Sequence, residues 1–182
     1  MPEGMTPDAL KTQRLATTGF WELPVEVPGG PVWLLAWHAT PPVFDGPEDR
    51  NGRRNHDEAA FWLRRLAGEL GPAIPERFVI LGDANLDLKR SEGRKGALAE
   101  LLGHARVHDP VPQGANGAAT ADFSAKDGPG ALRVDYVLPS SSLRVVGSGV
   151  VWPAPGDPLQ TVVEAASRHR LVWVDVELPS AP

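Results

Sequence analysis

Apolar positions pattern this chain in two ways. Over "VWLLAWHA" (32–39) both alternating faces are apolar: Val32, Leu34 and Ala36 on one side, Trp33, Leu35 and Trp37 on the other. A strand of that kind is covered on both sides, inside a layered fold. It ends at His38. "WELPVEV" (21–27) reads as a strand joined to it by the turn "PGG". The helical period is clearest in "NHDEAAFWLRRLAGELGP" (55–72), where Ala59, Trp62, Leu66 and Leu70 form one apolar stripe. Asn55 is the expected cap, Glu58 its capping-box partner, and Gly71-Pro72 the stop.

Further along, "FVILGDAN" (78–85) reads as a strand, and a shorter helix spans about 95–102 and ends at Gly103. Residues 104–131 are rich in Gly, Ala and Pro and read as loop. Three strands close the chain: "LRVDYVLP" (132–139), "LRVVGSGVVW" (143–152) and "RLVWVDVEL" (170–178). Residues 1–19 are weakly patterned and read as a poorly ordered lead-in to one domain over 20–182. Strands interleaved with two helices predict an α/β (α+β) fold with mixed sheet layers flanked by helices.

Composition narrows the function classes. The net charge of −5 argues against a broad basic surface tracking a nucleic-acid backbone, yet leaves room for a local phosphate site. There is no cysteine, which excludes disulfides, thiolate metal sites and a thiol nucleophile. No apolar run reaches membrane-spanning length, and the first residues lack a signal-peptide pattern. The sequence as it stands is expected to remain in the cytoplasm. Gly and Pro number 19 each, without a period, which implies many turns.

Four places set a polar group at the end of an apolar strand or inside one: His38, Asp83 with Asn85, Asp135, and His169. Positions two apart on a strand face the same way, so Asp83 and Asn85 present a carboxylate and an amide together. Each place also has a structural reading. Gly-Asp-x-Asn is the sequence of a turn in which the Asp accepts backbone N–H groups. His38 fits a core or surface histidine, Asp135 a partner for Arg133 or Arg144, and His169 the start of the last strand. The joint order of the four along the chain is more specific than any one of them.

That order resembles the endonuclease/exonuclease/phosphatase superfamily, which has the deoxyribonuclease-I-like fold. The matching pieces are the strand ending in His38, "GDAN" (82–85), "RVDYVLPS" (133–140) and "SRH" (167–169). The stretch "HATPPVFDGPEDRNGRRNHDE" (38–58) also looks like a bacterial branch of it. The resemblance covers roughly residues 14–178 and implies a phosphoesterase or phosphodiesterase using Mg²⁺ or Mn²⁺. The implied substrate is a phosphate ester, nucleic acid among the candidates. It implies His169 as the catalytic imidazole and Asp135 as the carboxylate that fixes its tautomer. Asp83 would position the attacking water or assist the metal, with Asn85 as a second metal neighbour and a donor to a phosphate oxygen. His38 would be the acid for the leaving oxygen.

Two departures from the family pattern change what is expected. The resemblance is to the C-terminal half, without the first-strand Asn and the metal-holding Glu of the N-terminal half. Glu22 and Glu26 lack that Glu's context and read as the solvent face of the first strand. Half a two-layer sandwich exposes sheet surface, which implies a truncated product, a separate N-terminal half, or a homodimer. The family's Ser-Asp-His element here reads Ser167-Arg168-His169. A cation replacing a carboxylate near a metal reverses an interaction of roughly 4 kcal/mol per unit charge at about 4 Å. Arg168 is therefore unfavourable for a metal and suited to phosphate, unless it points to solvent. Arg50, Arg53 and Arg54 either grip further phosphates or form a solvated loop. Asp122 is a ligand or, preferably, fixes its own loop. Alongside the phosphoesterase stand an inactive fragment or phosphate-binding module, and a purely structural domain in which these residues never meet.

Overall fold

A computed structural model describes residues 6–125 and 128–178. The helices are α1 (Pro7–Thr12), α2 (Arg50–Leu66), α3 (Gly96–Leu102) and α4 (Gln160–Ala166). The strands are β1 (Gly19–Val25), β2 (Val32–His38), β3 (Phe78–Asp83), β4 (Ala121–Phe123), β5 (Gly130–Leu132), β6 (Asp135–Pro139), β7 (Arg144–Val150) and β8 (Val172–Glu177). A four-stranded mixed sheet runs β1-β2-β3-β6, and two-stranded sheets pair β4 with β5 and β7 with β8. The fold is the mixed α/β arrangement that the patterning predicts.

The two apolar faces of β2 have different fates. Trp37 and Leu35 join Phe78, Ile80, Trp62, Leu98 and Leu101 in the main core, between the sheet and helices α2 and α3. Large apolar side chains buried this way contribute about 1.5–3 kcal/mol each. Val32, Val79 and Leu143 form a smaller core on the opposite face, where Val176 and Leu178 pack. That face is only partly covered. Trp21, Leu23 and Val25 pair with Ala36, Leu34 and Val32 across the ladder, and they remain 49%, 51% and 41% exposed.

Several expectations are corrected. Helix α2 begins at Arg50, five residues before Asn55, because the Asp45 carboxylate accepts the Asn51 N–H and caps the first turn from outside. Asn55 is therefore mid-helix and buried, and Glu58 is buried one turn on. Leu70 lies beyond the helix and is exposed. The 104–131 loop contains β4 and β5, and α1 and α4 were not anticipated. The lead-in carries α1, while residues 1–5 lie outside the described residues.

"LRVDYVLP" is not one strand. The chain leaves β5 at Leu132 and enters β6 at Asp135, with the Val134 and Asp135 N–H groups both donating to Thr120 Oγ1 at the step. Glu22 does not face solvent: both its oxygens accept from the buried Arg65 guanidinium, at 2.6 and 2.7 Å. The proposed partners of Asp135 are engaged elsewhere, Arg133 with Asp109 and Arg144 with Glu177.

Candidate functional site

The site is assembled by ladder register. β2 and β3 are parallel, with His38 opposite Asp83; β3 and β6 are antiparallel, with Asp83 opposite Asp135. Residues opposite one another across a ladder share a face. Three strand ends thus set an imidazole and two carboxylates in a row. His169 arrives from the segment before β8, held by its bridge to Ala121.

The local sequence explains the sharp exit from β3. Gly82 has φ +140°, and a Cβ there would come within 1.9 Å of the Trp37 carbonyl oxygen, so only glycine fits beside β2. Asn85 follows in the left-handed region at φ +50°, which Asn tolerates. Its N–H donates to Asp83 Oδ1 at 2.7 Å. The turn reading of Gly-Asp-x-Asn thus holds, and the turn fixes the Asp83 carboxylate at the strand end.

Asp83 Oδ2 lies 3.5 Å from His38 Nε2 and accepts from Asn85 Nδ2 at 2.9 Å. The second Asn85 amide hydrogen goes to the Ala39 carbonyl, also at 2.9 Å. With both hydrogens spent, Asn85 here orients Asp83 and has no free N–H for a phosphate oxygen. His169 Nδ1 lies 3.1 and 3.0 Å from the two Asp135 oxygens. An ionised carboxylate only accepts, so Nδ1 carries the proton and Nε2 is the ring nitrogen left for other partners. Phe123 packs edge-on against the His169 ring, with centroids 5.6 Å apart.

Electrostatics set these groups apart from ordinary surface carboxylates. Burial, and then the charge of Asp135, push the Asp83 carboxyl up to about 6, against the Asn85 N–H and both histidines. The hydrogen bond to Asp135 holds His169 above the usual imidazole range; burial opposes it, while the charges of Asp135 and Asp83 add to it. Asp83, Asp135 and His169 each offer a ligand atom within 4.8 Å of the others. The two carboxylates supply hard oxygen donors and mutual repulsion that a divalent cation relieves, so this donor set fits such a cation.

The arginines stand elsewhere. Arg168 lines a hollow with Asp122, Ser124, Ser167 and Arg170 that includes none of His38, Asp83, Asp135 and His169. Arg168 is not among the charges that shift Asp83 or His169. Among the described residues, Arg53 and Arg54 make no hydrogen bond or ion pair to the cluster. Asp122 fixes its loop through Ser124, as its sequence suggests. A cavity of about 220 Å³ lies beside Arg170 and Trp152 and includes none of the cluster residues. Sequence reasoning missed Asn55, Glu58 and Thr120 as supports for the site, because helical spacing and loop composition do not mark buried hydrogen-bonding partners.

Fold and cluster together define a deoxyribonuclease-I-like protein with an acid–imidazole site at its strand ends. The chain belongs to the endonuclease/exonuclease/phosphatase family, whose model matches residues 11–169. It is thus a member of a superfamily of phosphodiesterase- and nuclease-like hydrolases. An endonuclease/exonuclease/phosphatase structure from Beutenbergia cavernae DSM 12333 aligns with it at 20% identity and a TM-score of 0.62, over 91% of this chain and 40% of that one. Beta toxin from Staphylococcus aureus aligns at 18% identity and a TM-score of 0.51, over 88% of this chain and 57% of that one. At these identities the likeness is one of fold. The chain spans about half the length of these two structures or less. No functionally curated protein matches it.

Proposed function

We propose that this chain hydrolyses a phosphate ester, with a phosphodiester such as nucleic acid as the substrate class. The observation that carries the reading is Asp83, Asp135, His38 and His169 meeting at neighbouring strand ends, with Asp83 and His169 both displaced from their ordinary titration. A divalent cation such as Mg²⁺ or Mn²⁺, held by Asp83 and Asp135, would supply charge stabilisation to the phosphoryl oxygens.

The residues' own work follows from their hydrogen bonds. Asp135 holds the His169 Nδ1–H and so directs Nε2 to the water or phosphate oxygen at the site. Asp83, with both oxygens held by Asn85, orients water through a remaining lone pair. His38 Nε2, beside Asp83 and half exposed, is placed to deliver a proton to a leaving oxygen. The test is hydrolysis of bis-p-nitrophenyl phosphate and of plasmid DNA with and without Mg²⁺ or Mn²⁺, comparing wild type with His169→Ala. Equal rates in the two proteins remove His169 from the chemistry.

A second reading has its own support. The exposed Trp21, Leu23 and Val25 face favours a chain that works only when covered, by a second copy in a homodimer or by a separate N-terminal half. In that reading the isolated chain is inactive or only binds phosphate. Sedimentation analysis of wild type and Leu23→Lys separates the two readings. A monomer that hydrolyses phosphodiesters removes the second.

A further inference from the structure

Beyond Ala39, whose N–H donates to the Asp83 carbonyl at 2.8 Å, the ladder between β2 and β3 ends. The Ala39 carbonyl takes an Asn85 amide hydrogen, and the next carbonyls of the two strand ends, those of Thr40 and Ala84, need other donors. A single side chain supplies them. Asn55 Nδ2 donates to the carbonyls of Thr40 and Ala84, both at 2.8 Å, from a position 1% exposed. Thr40 lies two residues beyond His38, and Ala84 directly follows Asp83.

One turn further along α2, Glu58 is fully buried and accepts the Thr40 N–H and hydroxyl at 2.6 and 3.1 Å. Asn55 and Glu58 lie at i and i+3, one face of the helix. Together they hold Thr40 by its carbonyl, N–H and hydroxyl. Their spacing therefore couples α2 to both strand ends that carry His38 and Asp83.

We infer that Asn55 is a positioning residue: its amide, standing in for the missing ladder rung, sets the separation of His38 and Asp83, with Glu58 fixing Thr40 in support. It touches neither substrate nor reacting atoms. Removing the amide leaves two buried carbonyls unpaired, and the strand ends relax apart toward other donors. A displacement of about 1 Å at such a site costs on the order of 10²-fold in rate. The kinetic consequence rests on the phosphoesterase reading; the geometric one does not.

The test uses Asn55→Ala, the milder Asn55→Ser, which keeps one donor, and Leu101→Ala on α3 as a core control outside this hydrogen-bond network. Each is measured well below its own melting temperature, by steady-state kinetics on bis-p-nitrophenyl phosphate and by NMR of the histidine rings. The expected result is a kcat lower by about 10²-fold for Asn55→Ala with KM little changed, a smaller loss for Asn55→Ser, and displaced His38 ring resonances in both. Leu101→Ala is expected to keep its kcat and its His38 signals. If Asn55→Ala fails to fold, Asn55→Ser carries the comparison. Should the wild type hydrolyse nothing, the phosphoesterase reading fails while the NMR comparison still decides this inference. Unmoved His38 resonances in the Asn55 variants, or losses matched by Leu101→Ala, overturn it.

Discussion

Asp83 and Asp135 face each other across the β3–β6 ladder, and each has an imidazole beside it: His38 for Asp83, His169 for Asp135. Partial burial, and then the charge of Asp135 beside it, disfavour ionisation of Asp83. The pair is held in place by backbone pairing, not by mutual attraction. It therefore stores a destabilisation that protonation, mutation or a cation relieves.

Removing the charge of Asp83 should stabilise the protein at neutral pH. Its carboxyl is raised from 3.8 to about 6, so its contribution favours the folded state below 3.8 and is lost as pH rises through about 6. Two pKa units set an upper bound of about 3 kcal/mol, and loss of the ionic hydrogen bonds to Asn85 reduces it. Asp83→Asn is expected to melt about 2–8 °C above wild type at pH 8 and to converge with it near pH 4. Thermal unfolding at both pH values measures this. A lower melting temperature for Asp83→Asn at pH 8 would contradict the stored repulsion.

A divalent cation should bind at the same place and more tightly as pH rises through about 6, because Asp83 must ionise to receive it. At a hundredfold excess over Kd, Mg²⁺ or Mn²⁺ is expected to add about 2.7 kcal/mol to stability. Asp83→Asn and Asp135→Asn should both lose most of that gain. Calorimetric titration and melting curves with and without the ion provide the measurement.

His169 should titrate above the usual imidazole value of about 6.5 in wild type and fall in Asp135→Asn, which removes the acceptor of its Nδ1–H. An amide can also receive the ring in the wrong tautomer. The rate of phosphodiester hydrolysis is expected to drop by about 10²–10⁴-fold. An NMR titration of the ring protons follows the pKa directly, and an unchanged midpoint in the variant would sever the proposed link.

Away from the site, Glu22→Ala should cost about 2–4 kcal/mol. It strands the Arg65 guanidinium, whose side chain is only 7% exposed, leaving it the carbonyls of Leu70 and Pro72. Chemical denaturation measures the loss. The kinetics at low temperature should stay near wild type, since neither residue approaches the strand ends.

Much of this architecture was legible in the sequence because the signals are local. The double-faced apolar run of 32–39 marks a strand inside a layered fold, and β2 lies in one, with its Leu35 and Trp37 face in the main core and the other face partly covered. Gly82-Asp83-x-Asn85 marks a strand exit, and the backbone requires a glycine there. The errors have a common origin as well. Asn55 reads as a cap because polar residues before an apolar stripe usually are; here Asp45 caps from ten residues earlier, and Asn55 is freed to be buried. Glu22 reads as solvent-facing because its partner Arg65 is 43 residues away. Arg168 reads as a charge reversal at the site because neighbours in sequence are easily taken for neighbours in space. The Arg168 side chain lines a hollow that includes none of the cluster residues.

The sequence by itself determined which residues could do chemistry and that each stands at or near the end of a strand, since periodicity and turn chemistry act over a few residues. Only the tertiary structure decided that His38, Asp83 and Asp135 stand in one row, that His169 closes on Asp135 from 34 residues away, and that Asn55 ties two strand ends together. Those contacts follow from ladder register and from how helix and sheet pack. Both are settled by burial and hydrogen-bond satisfaction across the whole chain, which no short window of residues contains.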